Sequence, residues 1–119
     1  MLATLAGDLT ISDTTAKKLL ADLPADLDPE RRAVVETACR LVGKVTKVWA
    51  DSNSTTDTYR PYGLDCSGFV DWVFYNVTDG EYVIGHGGGV HMQHTYCTPI
   101  SWNEAQPGDL VFYPDDEHV

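Results

Sequence analysis

The run from Cys66 to Val77, CSGFVDWVFYNV, limits the folding of this chain more than any other. Phe69, Val70, Trp72, Val73, Phe74 and Val77 recur at helical spacing but cover too much of the circumference for a surface helix. A helix that is apolar on most sides has to be enclosed, so the remaining segments must wrap around it. With 119 residues the chain has room for one domain. The central helix starts at a cysteine, and Asp65 before it is a natural N-cap.

Two helices are expected ahead of this one. Thr14 to Leu23 reads as a short helix with Ser12 or Asp13 as cap and Pro24 beyond its end. The acidic, proline-bounded stretch Pro24 to Pro29 reads as a hinge. Pro29 then opens a longer helix ending at Gly43. Its residues Val34, Val35, Ala38, Leu41 and Val42 share a face, with Cys39 beside it as a core residue. Residues 51–58 (DSNSTTDT) form a polar loop without periodicity. The glycines of GHGGG, residues 85–89, argue against regular structure, so HMQHTYCTPI is expected as the far side of a flexible loop, with Cys97 as a small strand residue. A strand is expected over Asp109–Tyr113, introduced by the turn signal Gln106-Pro107-Gly108.

Charge narrows the function classes. Eight basic against eighteen acidic residues give a formal charge of −10, which argues against nucleic acid as a partner. No window nears the roughly 18 uninterrupted apolar residues of a membrane span. The opening MLATLAGDL lacks a basic region and meets Asp8 too early for a signal peptide. Three cysteines, Cys39, Cys66 and Cys97, are an odd set, so at least one thiol is expected to be free.

Cys66 is the thiol whose position suggests chemistry. At the first turn of a helix the macrodipole favours a thiolate. The N–H groups of the same turn point to where an oxyanion forms during acyl transfer. Such a nucleophile needs a base distant in sequence and close in space. His118, after the expected strand and the acidic turn Pro114–Glu117, is the candidate. His86, His91, His94 and Cys97 also invite a zinc reading, but structural zinc ligands usually come in tighter pairs, so no metal is expected. Trp49 either lines the cleft or packs in the core.

The order DCSGFV, a glycine-rich linker, Gln93, PGDLVFY and HV resembles the NlpC/P60 family of papain-like cell-wall cysteine peptidases, from about Ala33 to Val119. The resemblance implies an α+β fold, with helices packed on an antiparallel sheet whose C-terminal strands would lie beyond Val119. It implies residues 1–30 as a helical extension and hinge, and residues 31–119 as an incomplete catalytic domain. Cys66 becomes the nucleophile and His118 the base. Asp65 and Ser67 help to hold the free amine of a stem peptide, Gln93 matches a position of the cleft, and Trp49 joins them as a substrate-side candidate. The substrate implied is a peptidoglycan stem peptide, commonly cut between D-γ-glutamate and the diamino acid, with no cofactor. The site of action implied is secreted or cell-wall. Lys47 stands where the family carries a tyrosine, a role open to Tyr59 or Tyr62. The third polar residue of the family's site would also lie beyond Val119. A peptidoglycan-binding remnant, or an amidase or acyltransferase on the same scaffold, are the rival readings. An unfinished sheet further predicts a homo-oligomer, or a second chain that completes it.

Overall fold

The computed structural model describes residues 10–44, 64–85 and 87–119. Lys47, Trp49, Tyr59, Tyr62 and His86 lie outside the described residues.

Three helices each begin at an aspartate. Asp13 accepts from the Ala16 N–H at 2.9 Å and starts α1, Thr14–Ala21. Asp28 accepts from the Glu30 N–H at 2.8 Å and starts α2, Pro29–Cys39, where Pro29 occupies a position whose N–H would have no helical partner. Asp65 accepts from the Gly68 N–H at 2.7 Å and starts α3, Cys66–Val77. Thr78 closes α3 by donating its hydroxyl to the Phe74 carbonyl at 2.6 Å. α2 ends before the expected Gly43, and the chain continues in turns to Lys44.

α3 is the enclosed helix. Trp72 is 0% and Val73 3% exposed, and both cluster with Leu41 and Leu64. Val34 and Ala38 of α2 and Phe69 and Val77 of α3 pack around that cluster. Burying aromatic and branched side chains contributes roughly 1.5–3 kcal/mol each, so this cluster is the main source of stability.

The flexible loop expected after the glycines is instead a helix, α4, Gly89–Thr95. Val90 and Gln93, three residues apart, are 7% and 1% exposed, and α4 packs on α3. The glycines serve its entry. A Cβ on Gly88 would meet Met92 side-chain atoms at 2.6 Å, and Gly89 has φ +78°. Cys97 follows this helix, its N–H donating to the His94 carbonyl at 3.1 Å, so it is not a strand residue.

The described residues contain no strand, and Asp109–Tyr113 has no ladder partner among them. A lone strand has too few hydrogen bonds and too little buried face to hold regular geometry. The turn signal ahead of it is formed: the Asp109 N–H donates to Gln106 O at 3.1 Å, the Gln106 N–H donates to Asp109 Oδ2 at 2.8 Å, and Gly108 has φ +95°. A Cβ on Gly108 would lie 3.4 Å from the Arg31 backbone, so a glycine lets this turn sit against α2. Arg31 secures it, its Nη1 lying 2.5 Å from Asp109 Oδ1. Among the described residues no helix is long and apolar enough to cross a membrane.

Candidate active site

The first turn of α3 carries Cys66 at its first position. Asp65 takes the Gly68 N–H, which leaves the Cys66 and Ser67 N–H groups at the same positively polarised end. The Ser67 hydroxyl also reaches Asp65 Oδ1, at a long 3.4 Å. Cys66, Ser67 and Asp65 are all half-buried, so the turn is supported from below and open on one side.

The C-terminal segment meets this turn. The Cys66 thiol lies 3.8 Å from the Glu117 carbonyl oxygen, within the reach of a weak S–H donor. A tight corner precedes that contact: the Asp116 N–H donates to Tyr113 O at 2.9 Å, and the Tyr113 N–H donates to His118 O at 3.0 Å. The Tyr113 and His118 rings meet edge-on with centroids 5.7 Å apart. The structure thus carries the residue just before His118 to the thiol, across 51 positions of sequence.

Gln93 sits beneath the Cys66 turn. Its Nε2 donates to Ser67 O at 2.8 Å and to Asp71 Oδ1 at 2.7 Å, and the other oxygen of Asp71 accepts from the Gly87 N–H at 3.1 Å. Expected at the substrate, Gln93 is 1% exposed, with its amide nitrogen held by two protein acceptors. Its position is that of a support for the turn. Asp71, 3% exposed, was not singled out in the sequence because a single acid inside an apolar run reads as the solvent edge of a helix.

The acidic turn is also more than a solvated corner. Asp116 Oδ2 lies 2.6 Å from His91 Nδ1, and Asp116 Oδ1 lies 2.7 Å from His94 Nδ1. These hydrogen bonds, from His91 first and His94 second, hold the Asp116 carboxyl below the ordinary carboxylate range. His94 further stacks on Phe112, with centroids 4.4 Å apart and planes 7° from parallel. The signal in the sequence was the spacing His91-x-x-His94, which carries meaning only on a helix.

The other thiols sit in different surroundings. Burial pushes the Cys39 thiol up, with Asp13 and Glu36 adding to it, and burial also pushes up that of Cys97. Among the described residues no group of three or more His, Cys, Asp or Glu side chains is arranged to hold a metal ion, the His91, His94 and Asp116 side chains being hydrogen bonded to one another. A cavity of about 700 Å³ opens between α2 and the segment from Cys97 to Phe112, lined by Val34, Phe74, Ile84 and Trp102 among others. Neither Cys66 nor His118 lines it, so the cavity and the Cys66 turn are separate places.

A model of the NlpC/P60 family matches residues 48–119. Over 95 residues the chain is 32% identical to a probable endopeptidase of Mycobacterium tuberculosis, covering 76% of this chain and 20% of that protein. It is 42% identical over 53 residues to the probable endopeptidase p60 of Listeria grayi, covering 44% of this chain and 9% of that protein. Protein P54 of Enterococcus faecium is 33% identical over 81 residues, covering 68% and 13%. The chain thus spans a fifth or less of the length of these relatives. No solved structure matches it.

Proposed function

The chain belongs to the NlpC/P60 family, and we propose that it is a cysteine peptidase acting on the peptide stems of peptidoglycan. The observation that carries this reading is the thiol at the first position of α3 with the chain just before His118 packed against it. The relatives named as endopeptidases support peptide hydrolysis as the reaction class.

The proposed mechanism begins with the Cys66 thiolate attacking the carbonyl carbon of the scissile amide. The oxyanion that forms is stabilised by N–H groups of the α3 first turn. His118 takes the thiol proton and delivers it to the leaving amine, so the C–N bond breaks and an acyl-enzyme forms. Water, deprotonated by His118, then releases the acid and restores the thiol. Asp65, beside the nucleophile, offers a carboxylate to the free amine of a stem peptide, with Ser67 next to it. Trp49 is proposed on the substrate side of the cleft. The bond proposed is that between D-γ-glutamate and the diamino acid, and the cell wall is the proposed site of action.

The test is hydrolysis of a γ-D-glutamyl stem dipeptide. Cys66→Ala should reduce turnover to background and His118→Gln should lower it by about a thousandfold or more, the scale for loss of a nucleophile or its base. Iodoacetamide should modify Cys66 before Cys39 or Cys97, both of which burial disfavours as thiolates. Turnover that survives Cys66→Ala would refute the reading. Aminolysis products in the presence of added amine would assign the acyl-enzyme to a transferase instead.

A further inference from the structure

We propose that His91 and His94 are positioning residues, which hold the His118-bearing turn beside Cys66 through a shared grip on Asp116. The two histidines stand three residues apart on α4, on one face of the helix. Each gives its Nδ1 to a different oxygen of the same carboxylate, at 2.6 and 2.7 Å. Asp116 has φ +58°, a left-handed turn conformation that aspartate tolerates, and the two imidazoles fix its carboxylate there. The stacking of His94 on Phe112 adds a second point of attachment to the same segment.

The same short helix reaches the nucleophile. Gln93, between the two histidines, donates to Ser67 O and to Asp71 Oδ1 of α3. α4 is therefore a spacer, with Val90 and Gln93 set into α3 and His91 and His94 holding Asp116. The distance between the thiol turn and the base-bearing turn depends on it. That consequence for turnover rests on the Cys66–His118 reading, whereas the grip itself does not.

Among the described residues the titratable neighbours are few. On the acidic turn, Asp115 accepts from the Glu117 N–H at 3.0 Å, and Glu117 is exposed. Tyr113 and His118 face one another, the Cys66 thiol meets the Glu117 carbonyl, and the Cys97 thiol donates to Gln93 O at 3.5 Å. Because the Asp116 carboxyl titrates below its ordinary range when folded, its stabilising contribution is present above that range and lost as pH falls through the lowered value. The His91 and His94 side chains are 84% and 46% exposed, so solvent and salt weaken the grip.

The experiment compares the whole chain with Asp116→Asn and with His91→Gln/His94→Gln. Amide hydrogen exchange over Tyr113–Val119 is measured against wild type at matched pH and low salt, together with kcat and KM on the stem dipeptide. At pH 7 exchange in both variants should be about three- to tenfold faster, the scale of two exposed pairs. As pH falls through the lowered Asp116 value the ratio should shrink towards one, the carboxylate then being protonated in the wild type. kcat should fall by a similar factor at pH 7 with KM little changed. Equal exchange in all three proteins, or a ratio independent of pH, would overturn the proposal. A wild type without Cys66-dependent turnover would refute the catalytic reading alone, since the exchange ratios would still decide the grip.

Discussion

The helix α3 and the segment from Asp109 to His118 supply the two sides of the proposed site, and they are held in place by opposite means. α3 is fixed by packing: Val70, Trp72 and Val73 are 7%, 0% and 3% exposed, with Asp71 buried among them and hydrogen bonded. The C-terminal segment is surface chain, with Val111 48% and Tyr113 55% exposed. It is tied down by polar contacts at a few points, Arg31 to Asp109 at one end and His91 and His94 to Asp116 at the other. Packing is strong, close to indifferent to pH and hard to perturb locally. Exposed polar ties are weaker and respond to pH and salt. On the proposed reading, such a site has a rigid nucleophile and an adjustable base.

The comparison is broken most directly in the core. Trp72→Ala should destabilise the chain by about 3–5 kcal/mol, measured by denaturant unfolding, because it empties the centre of the cluster. Tyr113→Ala on the other side should stay within about 0.5 kcal/mol. Comparable losses from the two would mean that the C-terminal segment is as much a part of the core as α3.

A smaller effect is expected where the two regions are linked. Gln93→Leu keeps the bulk of the side chain but removes the amide donor to Ser67 O and Asp71 Oδ1. The penalty for buried acceptors that lose a partner is about 1–3 kcal/mol. The same variant should accelerate iodoacetamide labelling of Cys97, whose thiol hydrogen bonds to the Gln93 carbonyl on α4. Unchanged stability would show that the Gln93 hydrogen bonds do not hold α4 on α3.

The smallest effect concerns the other tie. The hydrogen bond from Arg31, then that from the Gln106 N–H, holds the Asp109 carboxyl below the ordinary range. A carboxyl lowered in the folded state contributes stability above its unfolded value, near pH 4, and loses it as pH falls through the folded one. Asp109→Asn should flatten the acid side of the stability–pH curve and change stability at pH 7 by less than about 1 kcal/mol, as the side chains are 33% and 25% exposed. A steep acid limb that survives the substitution would place the acid-sensitive contact elsewhere.

Much of this architecture was legible residue by residue. Ser12 or Asp13, Pro29 and Asp65 announce three helix starts, because such signals act within a turn of themselves. The saturation of α3 with apolar residues specified its burial, and its first residue specified which thiol stands at a helix start. The turn at Pro107-Gly108 was equally local. Three features needed the folded chain. α4 has seven residues, too few for a helix to persist by propensity, and it forms because Val90 and Gln93 find α3. The expected strand over Asp109–Tyr113 has no partner among the described residues, and a strand is defined by its neighbour. Asp116 meets His91 and His94 across 25 and 22 positions, a separation that no periodicity encodes. Signals satisfied within one turn of backbone can be read from the order of residues. Contacts that depend on two elements arriving together belong to the tertiary structure, because either partner alone looks like ordinary solvated surface.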